Sequence, residues 1–271
     1  MNSKTSNPHN GNSLRPASAR ISVVINTYNA ERHLREVLES VRDFDEIVVC
    51  DMESTDHTLD IAREYGCHIV TFPKGDCVSA EPARNFAIQS AACPWVLVVD
   101  ADEVVMPALR DYLYQRVGQD DGPQGLYLPR RNRFMNIPEK GRIGDWQLRF
   151  FPREGTDWPP YVHTFPKVQG RTAHMPRIKG AYLDHLAENY IADVVNKGNQ
   201  YTTGEVDKKL ADGKHYGFGT LLWRPLWRFF KDYFLDGSIR SGLPGLIHAL
   251  IKAYYQFLIV AKMVERQKKK A

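Results

Sequence analysis

The acidic residues Asp100, Asp102 and Glu103 directly follow residues 95–99, an apolar run that predicts a central strand of a parallel sheet. Like charges clustered beside a buried strand are costly unless a cation or water offsets them. Magnesium and manganese prefer oxygen ligands and commonly bridge carboxylates to substrate phosphates. The spacing therefore predicts a Mg²⁺ or Mn²⁺ site with Asp100 and Asp102 as ligands. The alternative is a solvated turn in which Asp102 or Glu103 caps the next helix.

A second polar loop begins at Asp51, again between an apolar strand and a helix. Residues 54–56 can cap that helix, but helix capping does not explain Asp51. A carboxylate at a strand tip can accept hydrogen bonds from a nucleobase or ribose. Thr27, Tyr28 and Asn29 offer hydroxyl, aromatic and amide groups suited to the same nucleoside. The sequence contains neither G-x-G-x-x-G nor a P-loop motif, which argues against a Rossmann dehydrogenase and a P-loop enzyme.

These loops belong to an alternating pattern of strands and helices. Strands are predicted at residues 21–25, 46–50, 67–72 and 95–99, and helices at 31–41, 58–65 and 83–92. The alternation predicts an open, doubly wound, mostly parallel α/β sheet, with its ligand site at the carboxyl ends of the strands. Short strands are also expected at 125–128, 148–151 and 166–168, in an acceptor-facing half of the same domain.

Composition divides the 271 residues into three parts. Residues 1–19 are rich in Asn, Ser and Pro and contain no apolar h-region, which is typical of a disordered leader rather than a signal peptide. Residues 20–188 are predicted to form the catalytic domain, and 189–271 a helical region. The four cysteines lack C-x-x-C spacing and indicate reduced thiols in the cytoplasm. The net charge of +4 implies a local anionic partner and does not require a nucleic acid.

The order of these loops resembles glycosyltransferase family 2, which has the GT-A fold. The matching segments are residues 21–29, 51–56, 83–85 and 100–103. The resemblance implies a GT-A-like fold and a nucleotide-diphosphate sugar as donor. It also implies that the nucleoside, the diphosphate and the metal are bound by Thr27, Asn29, Asp51, Arg84, Asp100 and Asp102.

Further segments resemble a bacterial subgroup, the lipopolysaccharide core glycosyltransferases, at residues 144–151, 162–163, 221–225 and 234–237. This likeness implies a saccharide or glycolipid acceptor, lipid-linked and belonging to the cell envelope. Two departures stand out. Members often have Gly-Ser where this chain has Met52 and Glu53, and His-Glu where it has His163 and Thr164. The first adds a charge to the nucleoside loop, and the second removes a carboxylate near the acceptor.

Family 2 members resemble one another in inverting the anomeric centre, through direct attack by an acceptor hydroxyl. The attack needs a general base, and the subgroup's aspartate matches Asp145. Its alternative role is a helix cap or a partner for Arg142 or Arg149. Arg84 and Arg149 are predicted to bind the diphosphate, because a planar guanidinium can engage phosphate oxygens bidentately. His163 is predicted as a further metal ligand or phosphate contact, with a structural role as its alternative.

The C-terminal region contains two amphipathic helices, predicted at residues 221–235 and 243–264. His248, Lys252 and Gln256 place a polar stripe on the second helix, which distinguishes it from a uniformly apolar membrane span. Tryptophan beside basic residues suits the headgroup region of an anionic membrane. The alternative is packing against the catalytic domain or another subunit. The protein is therefore expected in the cytoplasm, peripheral on the inner face of the cell membrane.

Two other functions fit parts of the pattern. A nucleotidyltransferase also joins an acidic metal-binding loop to a nucleotide-binding sheet, but a Gly-rich basic loop would be expected where residues 26–29 stand. A non-catalytic carbohydrate- or lipid-binding scaffold would keep the fold without turnover. Intact Asp100, Asp102 and Asp145 argue against such a scaffold.

Overall fold

A computed structural model describes residues 16–75, 77, 80–119, 121–141, 143–160, 164–186 and 190–270. The chain divides into two compact units, Met1–Arg130 with Asp145–Leu186, and Arg131–Gly144 with Ala187–Ala271. Most of the predicted leader, residues 1–15, lies outside the described residues. The segment 131–144, which composition assigned to the catalytic domain, groups instead with the C-terminal helices.

The first unit, called the sheet unit below, alternates strands and helices before it becomes strand-rich. Its first strands are β1 (Ile21–Thr27), β2 (Glu46–Asp51), β3 (His68–Thr71), β4 (Trp95–Asp100), β5 (Glu103–Val105) and β6 (Gly125–Arg131). The next two strands, β7 (Arg133–Phe134) and β8 (Ile137–Pro138), belong to the second unit. The remaining strands of the sheet unit are β9 (Asp145–Pro152), β10 (Thr156–Asp157), β11 (Lys167–Val168), β12 (Thr172–His174) and β13 (Leu183–His185). Its helices are α1 (Glu31–Val41), α2 (Thr58–Glu64), α3 (Glu81–Gln89) and α4 (Pro107–Val117). A short 3-10 turn, Ala17–Ala19, precedes β1.

Nine of the described strands form one sheet in the order β3-β2-β1-β4-β9-β6-β13-β5, with β12 beside β6. The β3-β2-β1-β4 half is parallel, whereas β9 runs antiparallel to both β4 and β6. Helices α1, α2 and α4 cover one face of the sheet, and α3 covers the other. This arrangement confirms the predicted α/β fold with a doubly wound, parallel first half and C-terminal helices.

The central strands form because their side chains are apolar on both faces. β1 is buried along its whole length, and β4 is buried from Val96 to Val99. Both faces are covered by helices, so an uninterrupted apolar run is stable there. The predicted strands and helices of residues 21–99 are confirmed within about two or three residues at their ends. Helix α4 was not predicted, because its apolar residues have weak helical spacing.

The sheet brings the polar strand ends to one edge. The parallel register pairs Thr27 with Asp51 and Asn26 with Asp100. Because β9 runs antiparallel to β4, its first residue, Asp145, lies towards the edge where β4 ends. The predicted convergence of loops therefore has a direct origin in strand direction.

The second unit, called the helical unit below, contains a hairpin and three helices. The hairpin strands are β7 (Arg133–Phe134) and β8 (Ile137–Pro138), and the helices are α5 (Ile191–Ala211), α6 (Phe218–Phe230) and α7 (Gly242–Lys270). A π-helical turn and a 3-10 turn, Lys231–Leu235 and Ser238–Ser241, connect α6 to α7. By length and composition, Ser238–Lys268 could cross a membrane, with a mean hydropathy of 1.3 and 28% of its most apolar stretch buried.

Candidate active site

Asp51 organises the loop that follows β2. Its carboxylate accepts hydrogen bonds from the Thr27 hydroxyl at 2.8 Å, the Ser54 amide at 2.9 Å and the Ser54 hydroxyl at 2.6 Å. Asp51 is only 1% exposed. Bracing of the loop itself therefore accounts for Asp51. At the start of α2, Asp56 accepts the Thr58 amide, and the N-cap residue is His57. The contact predicted between Asp51 and a nucleoside stays a prediction.

Asn29 joins the two polar loops. Its backbone has a left-handed φ of 49°, and its side-chain oxygen accepts the Thr55 amide at 2.8 Å. The neighbouring Tyr28 ring is 49% exposed, and Lys74 Nζ lies 4.9 Å from its centroid. An exposed aromatic face held beside a cation can stack on a nucleobase. Of the three predicted nucleoside contacts in this loop, Tyr28 and Asn29 are exposed, whereas Thr27 is buried.

Asp100 is held by two arginines rather than left open. Arg84 Nη2 donates to its Oδ1 at 2.7 Å, and Arg149 donates to both oxygens at 3.2 and 2.6 Å. Arg130 Nη1 lies 4.0 Å from its Oδ2. Burial opposes ionisation of Asp100, but the charges and hydrogen bonds of Arg149 and Arg84 prevail and hold its pKa far below the ordinary value. Asp100 is a fixed anion between guanidinium groups.

The predicted role of Asp100 as a metal ligand stays a prediction, and the observed contacts of Asp100 are with arginines. A divalent cation that approached its oxygens would meet Arg84, Arg149 and Arg130, and would have to displace hydrogen bonds to the first two. The sequence suggested Arg149 as a possible partner of Asp145. In the structure Arg149 donates to Asp100. The predicted pair Arg84 and Arg149 is brought together, with Asp100 between the two side chains.

Asp145 and Glu103 share the third arginine. Arg130 Nε donates to Asp145 Oδ2 at 2.8 Å, and its Nη1 donates to Glu103 Oε1 at 3.1 Å. Gln147 Nε2 donates to the other oxygen of Asp145 at 2.7 Å. Burial, together with the nearby charge of Asp100, raises the pKa of Glu103 despite the opposing arginines. Arg130 and Asp145 face each other across β6 and β9, so strand pairing sets this contact.

Asp102 lies beside His185, with 3.4 Å between Asp102 Oδ2 and His185 Nε2. Burial lowers the pKa of His185, but the hydrogen bond and charge of Asp102 outweigh burial and raise it. One carboxylate and one imidazole can hold a divalent ion when substrate phosphates and water complete the coordination. Among the described residues, no group of three or more His, Cys, Asp and Glu side chains could hold a metal by itself. His163 lies outside those residues, so its predicted metal role stays a prediction.

Trp158 packs beside the two arginines that hold Asp100. The guanidinium carbons of Arg84 and Arg149 lie 4.9 and 5.7 Å from the centroid of its ring. Arg84 and Arg149 are only 8% and 4% exposed, and within the described residues Arg84 Nε, Arg84 Nη1 and Arg149 Nε have no hydrogen-bond partner. Buried donors without partners are unusual and suit an anionic ligand.

Sequence reasoning missed Arg130, Gln147, Trp158 and His185. The contacts of Arg130 and Gln147 with Asp145 depend on the antiparallel pairing of β6 with β9. No local sequence motif predicts that pairing. For His185, residues 182–186 read Tyr-Leu-Asp-His-Leu without a regular alternation of apolar and polar residues, so no local pattern identified it. Trp158 gave no signal, because it stands in an irregular segment.

Comparison with known proteins identifies the family. The family model for Glycosyl transferase family 2 matches residues 22–169, more than half of the chain. The lipopolysaccharide core biosynthesis glycosyltransferase LpsC of Rhizobium meliloti is 29% identical over 258 residues, covering 93% of this chain and 94% of that protein. The uncharacterized glycosyltransferase RT0209 of Rickettsia typhi is 26% identical, covering 91% of this chain and 87% of that protein.

Two solved structures are also similar. Staphylococcus aureus TarS 1-349 aligns over 92% of both chains, with 17% identity and a TM-score of 0.47. Glucosyl-3-phosphoglycerate synthase of Mycobacterium tuberculosis, in complex with Mn²⁺, uridine diphosphate and glucosyl-3-phosphoglycerate, aligns over 44% of this chain and 46% of that one, with 23% identity and a TM-score of 0.34. The resemblance inferred from the sequence, to family 2 and to its lipopolysaccharide core subgroup, is confirmed by the family match and by LpsC. This chain belongs to glycosyl transferase family 2 and is a glycosyltransferase.

Proposed function

We propose that this glycosyltransferase is metal-dependent and inverts the anomeric centre as it moves a sugar from a nucleotide diphosphate to a saccharide acceptor. The acceptor is a lipid-linked glycan of the lipopolysaccharide core or a related envelope glycan. The observation that carries the proposal is the convergence, at one sheet edge, of an exposed stacking ring, a buried arginine pair and a hydrogen-bonded carboxylate, namely Tyr28, Arg84 with Arg149, and Asp145.

The donor occupies the edge formed by the ends of β1, β2 and β4. Tyr28 stacks on the base, and the unpaired N–H groups of Arg84 and Arg149 bind the diphosphate. Asp100 orients both guanidinium groups. Asp102 and His185 hold a Mg²⁺ or Mn²⁺ ion, which when bound would stabilise the negative charge of the leaving diphosphate. Asp100 therefore acts on the donor through its arginines.

Asp145 is the general base in this proposal. Its side chain is 26% exposed, so an acceptor hydroxyl can reach it. Arg130 and Gln147 each donate to one of its oxygens, which fixes the orientation of the carboxylate. A carboxylate within reach of the acceptor hydroxyl can take the proton of that hydroxyl as it attacks. Direct attack of that hydroxyl, opposite to the leaving diphosphate, inverts the configuration.

A lipid-linked acceptor places the enzyme at a membrane. LpsC, similar along nearly the whole chain, is named for lipopolysaccharide core biosynthesis. The helical unit has exposed Trp and basic residues, which suit contact with anionic lipid. We infer a cytoplasmic protein, peripheral on the inner face of the cell membrane.

A panel of sugar nucleotides, supplied with Mn²⁺ or Mg²⁺ and an envelope glycolipid extract, tests this proposal. Release of nucleotide diphosphate and mass gain of the acceptor are the readouts. We expect transfer with one donor, at least about a hundredfold slower in Asp145→Asn because the base is lost. Asp157→Asn, an exposed aspartate on β10, is the matched control and should be unchanged. Normal turnover of Asp145→Asn would refute the assignment of the base, and transfer in the presence of EDTA would refute metal dependence.

A further inference from the structure

The outer face of α6 and the turn that follows it is apolar and exposed. Leu222, Trp223, Leu226, Trp227 and Phe230 recur at helical spacing and are 46% to 65% exposed. The Trp223 and Trp227 rings stack with centroids 6.1 Å apart, and Trp227 continues the stack to Phe230 at 6.0 Å. Monomeric soluble proteins rarely expose a contiguous apolar patch of this kind without a partner.

The outer face of α7 continues this surface over the first half of the helix. Leu243, Leu250, Tyr254 and Phe257 are 41% to 67% exposed and follow one another at helical spacing. Helices α6 and α7 pack against each other within the helical unit. The two exposed stripes therefore belong to one helix pair, called the apolar wedge below and formed by residues 218–257.

Polar side chains occupy the inner side of this pair. Arg224 donates to Gln256 at 3.0 Å, linking α6 to α7. Asp232 is 3% exposed and forms ion pairs with Arg228 and with Lys252, the latter at 3.5 Å. Lys252 and Gln256 belong to the polar stripe predicted on the second amphipathic helix. These polar side chains pair with one another, Ala249 and Ala253 are buried as well, and the large apolar side chains of both helices lie on the outer face.

The hairpin completes the polar interior. His248 Nδ1 lies 2.8 Å from Glu139 Oε1, and its ring stacks on Phe134 at 4.6 Å. The backbone amide of Lys140 donates to the Ser241 hydroxyl at 3.1 Å. This packing explains why residues 131–144 group with the helical unit. It also gives the His248 imidazole of α7 a partner within the protein.

The second half of α7 does not share the exposed apolar face. Ile259 and Met263 are buried against Val206 of α5. Lys262 Nζ donates to Asn199 and to the Thr202 hydroxyl on the same helix. Helix α5 is polar, with lysines in its last turn, and such a helix belongs in water. The part of α7 available to lipid is therefore about the first 16 residues, roughly 24 Å, which falls short of a span of the hydrocarbon core.

We propose that the apolar wedge inserts into one leaflet of an anionic bilayer as a monotopic anchor, while α5 remains in water. This inference deepens the membrane contact of the proposed function from surface attraction to insertion. Basic side chains at the connection between the helices, Lys231 and Arg240, are exposed and complement anionic headgroups. An interface with a second copy would bring these like charges near one another. The first 15 residues contain only Met1 and Leu14 as large apolar side chains, too few to cover the wedge.

The test uses the full chain and vesicles of phosphatidylethanolamine with phosphatidylglycerol. We expect co-sedimentation that persists at 1 M NaCl, where surface attraction is screened within about 3 Å. Vesicles of brominated lipid should quench the tryptophan emission, and Trp223→Phe with Trp227→Phe should keep binding but lose most of that quenching. Release of the protein at 1 M NaCl, or binding without quenching, would overturn insertion.

A polar variant measures the energetic role of the wedge. Trp223→Ser with Trp227→Ser should lower the vesicle partition coefficient about tenfold or more. Phe165→Ser, at a ring 54% exposed in the sheet unit, is the matched control and should change it little. A partition coefficient of the double serine variant equal to that of the unmodified protein would contradict the proposal. A dimer in light scattering that does not bind vesicles would contradict it as well. Transfer to a water-soluble acceptor should survive in the double serine variant, because its catalytic residues are unchanged. If the unmodified protein inserts into vesicles but transfers no sugar, the proposed function is wrong and the proposed insertion stands.

Discussion

At the scale of single residues, the surroundings of each carboxylate separate roles that look alike in sequence. Asp100 and Asp102 are two positions apart, yet Asp100 contacts Arg84 and Arg149 whereas Asp102 contacts His185. The first carboxylate can therefore order the arginines, and the second can hold a cation. The proposed roles of the two residues therefore differ, although the sequence suggested metal binding for both.

Removal of the Asp100 carboxylate should be costly for stability. In Asp100→Ala, Arg84 and Arg149 would remain buried without their anion, which typically destabilises a protein by about 3–5 kcal/mol. Because the pKa of Asp100 is depressed on folding, this contribution is present at neutral pH and is lost only as the pH falls below about 3.9 and through the folded value. Urea unfolding at pH 7 measures the difference. Asp157→Ala is the control, and equal free energies of unfolding for the two variants would contradict the ion cluster.

At the scale of elements, loop geometry reflects constraints that local motifs only partly show. The loop after β2 places Glu53 at a left-handed φ of 63°, and Glu53 Oε2 accepts the Lys74 amide. The sequence identified Met52 and Glu53 as a departure from the Gly-Ser pair that is common in the family. The family's glycine stands at the position of Met52, whereas the left-handed backbone, which favours glycine, is at Glu53.

Glu53→Gly should therefore stabilise the sheet unit, by about 0.5–1 kcal/mol after the loss of an exposed hydrogen bond is included. The matched control is Glu36→Gly on the exposed side of α1, which should destabilise by about 1 kcal/mol because glycine weakens a helix interior. Thermal unfolding of the two variants gives the comparison. Shifts of the same sign in both would contradict the strain assigned to position 53.

The central elements could be predicted because their signals are local. The apolar runs of β1, β2 and β4 and the helical spacing of α1 lie within single short segments. The contact of Arg130 with Asp145 depends on antiparallel pairing between distant strands, so local patterns could not show it. The grouping of residues 131–144 with the helices likewise depends on tertiary contacts of Glu139 and Phe134.

At the scale of the whole molecule, two units carry different properties. The sheet unit brings together the loop proposed to bind the nucleoside, the buried arginines and the proposed general base, although Thr27 and Asp145 are more than a hundred residues apart. In the helical unit, Asp232 is buried in ion pairs with Arg228 and Lys252, whereas the rings of Trp223, Trp227 and Phe230 are exposed. The sequence predicted amphipathic helices, but only the packing of α6 on α7 shows which face is exposed.

In the proposed donor site, the sheet edge binds a nucleotide diphosphate through a metal ion that Asp102 and His185 would hold. Isothermal titration with nucleotide diphosphates, in Mn²⁺ and again in EDTA, measures this directly. We expect binding in Mn²⁺ that is abolished by EDTA and by Asp102→Ala, is weakened at least about tenfold by His185→Ala, and is kept by Asp157→Ala. Binding of equal strength in EDTA, or in Asp102→Ala, would contradict it.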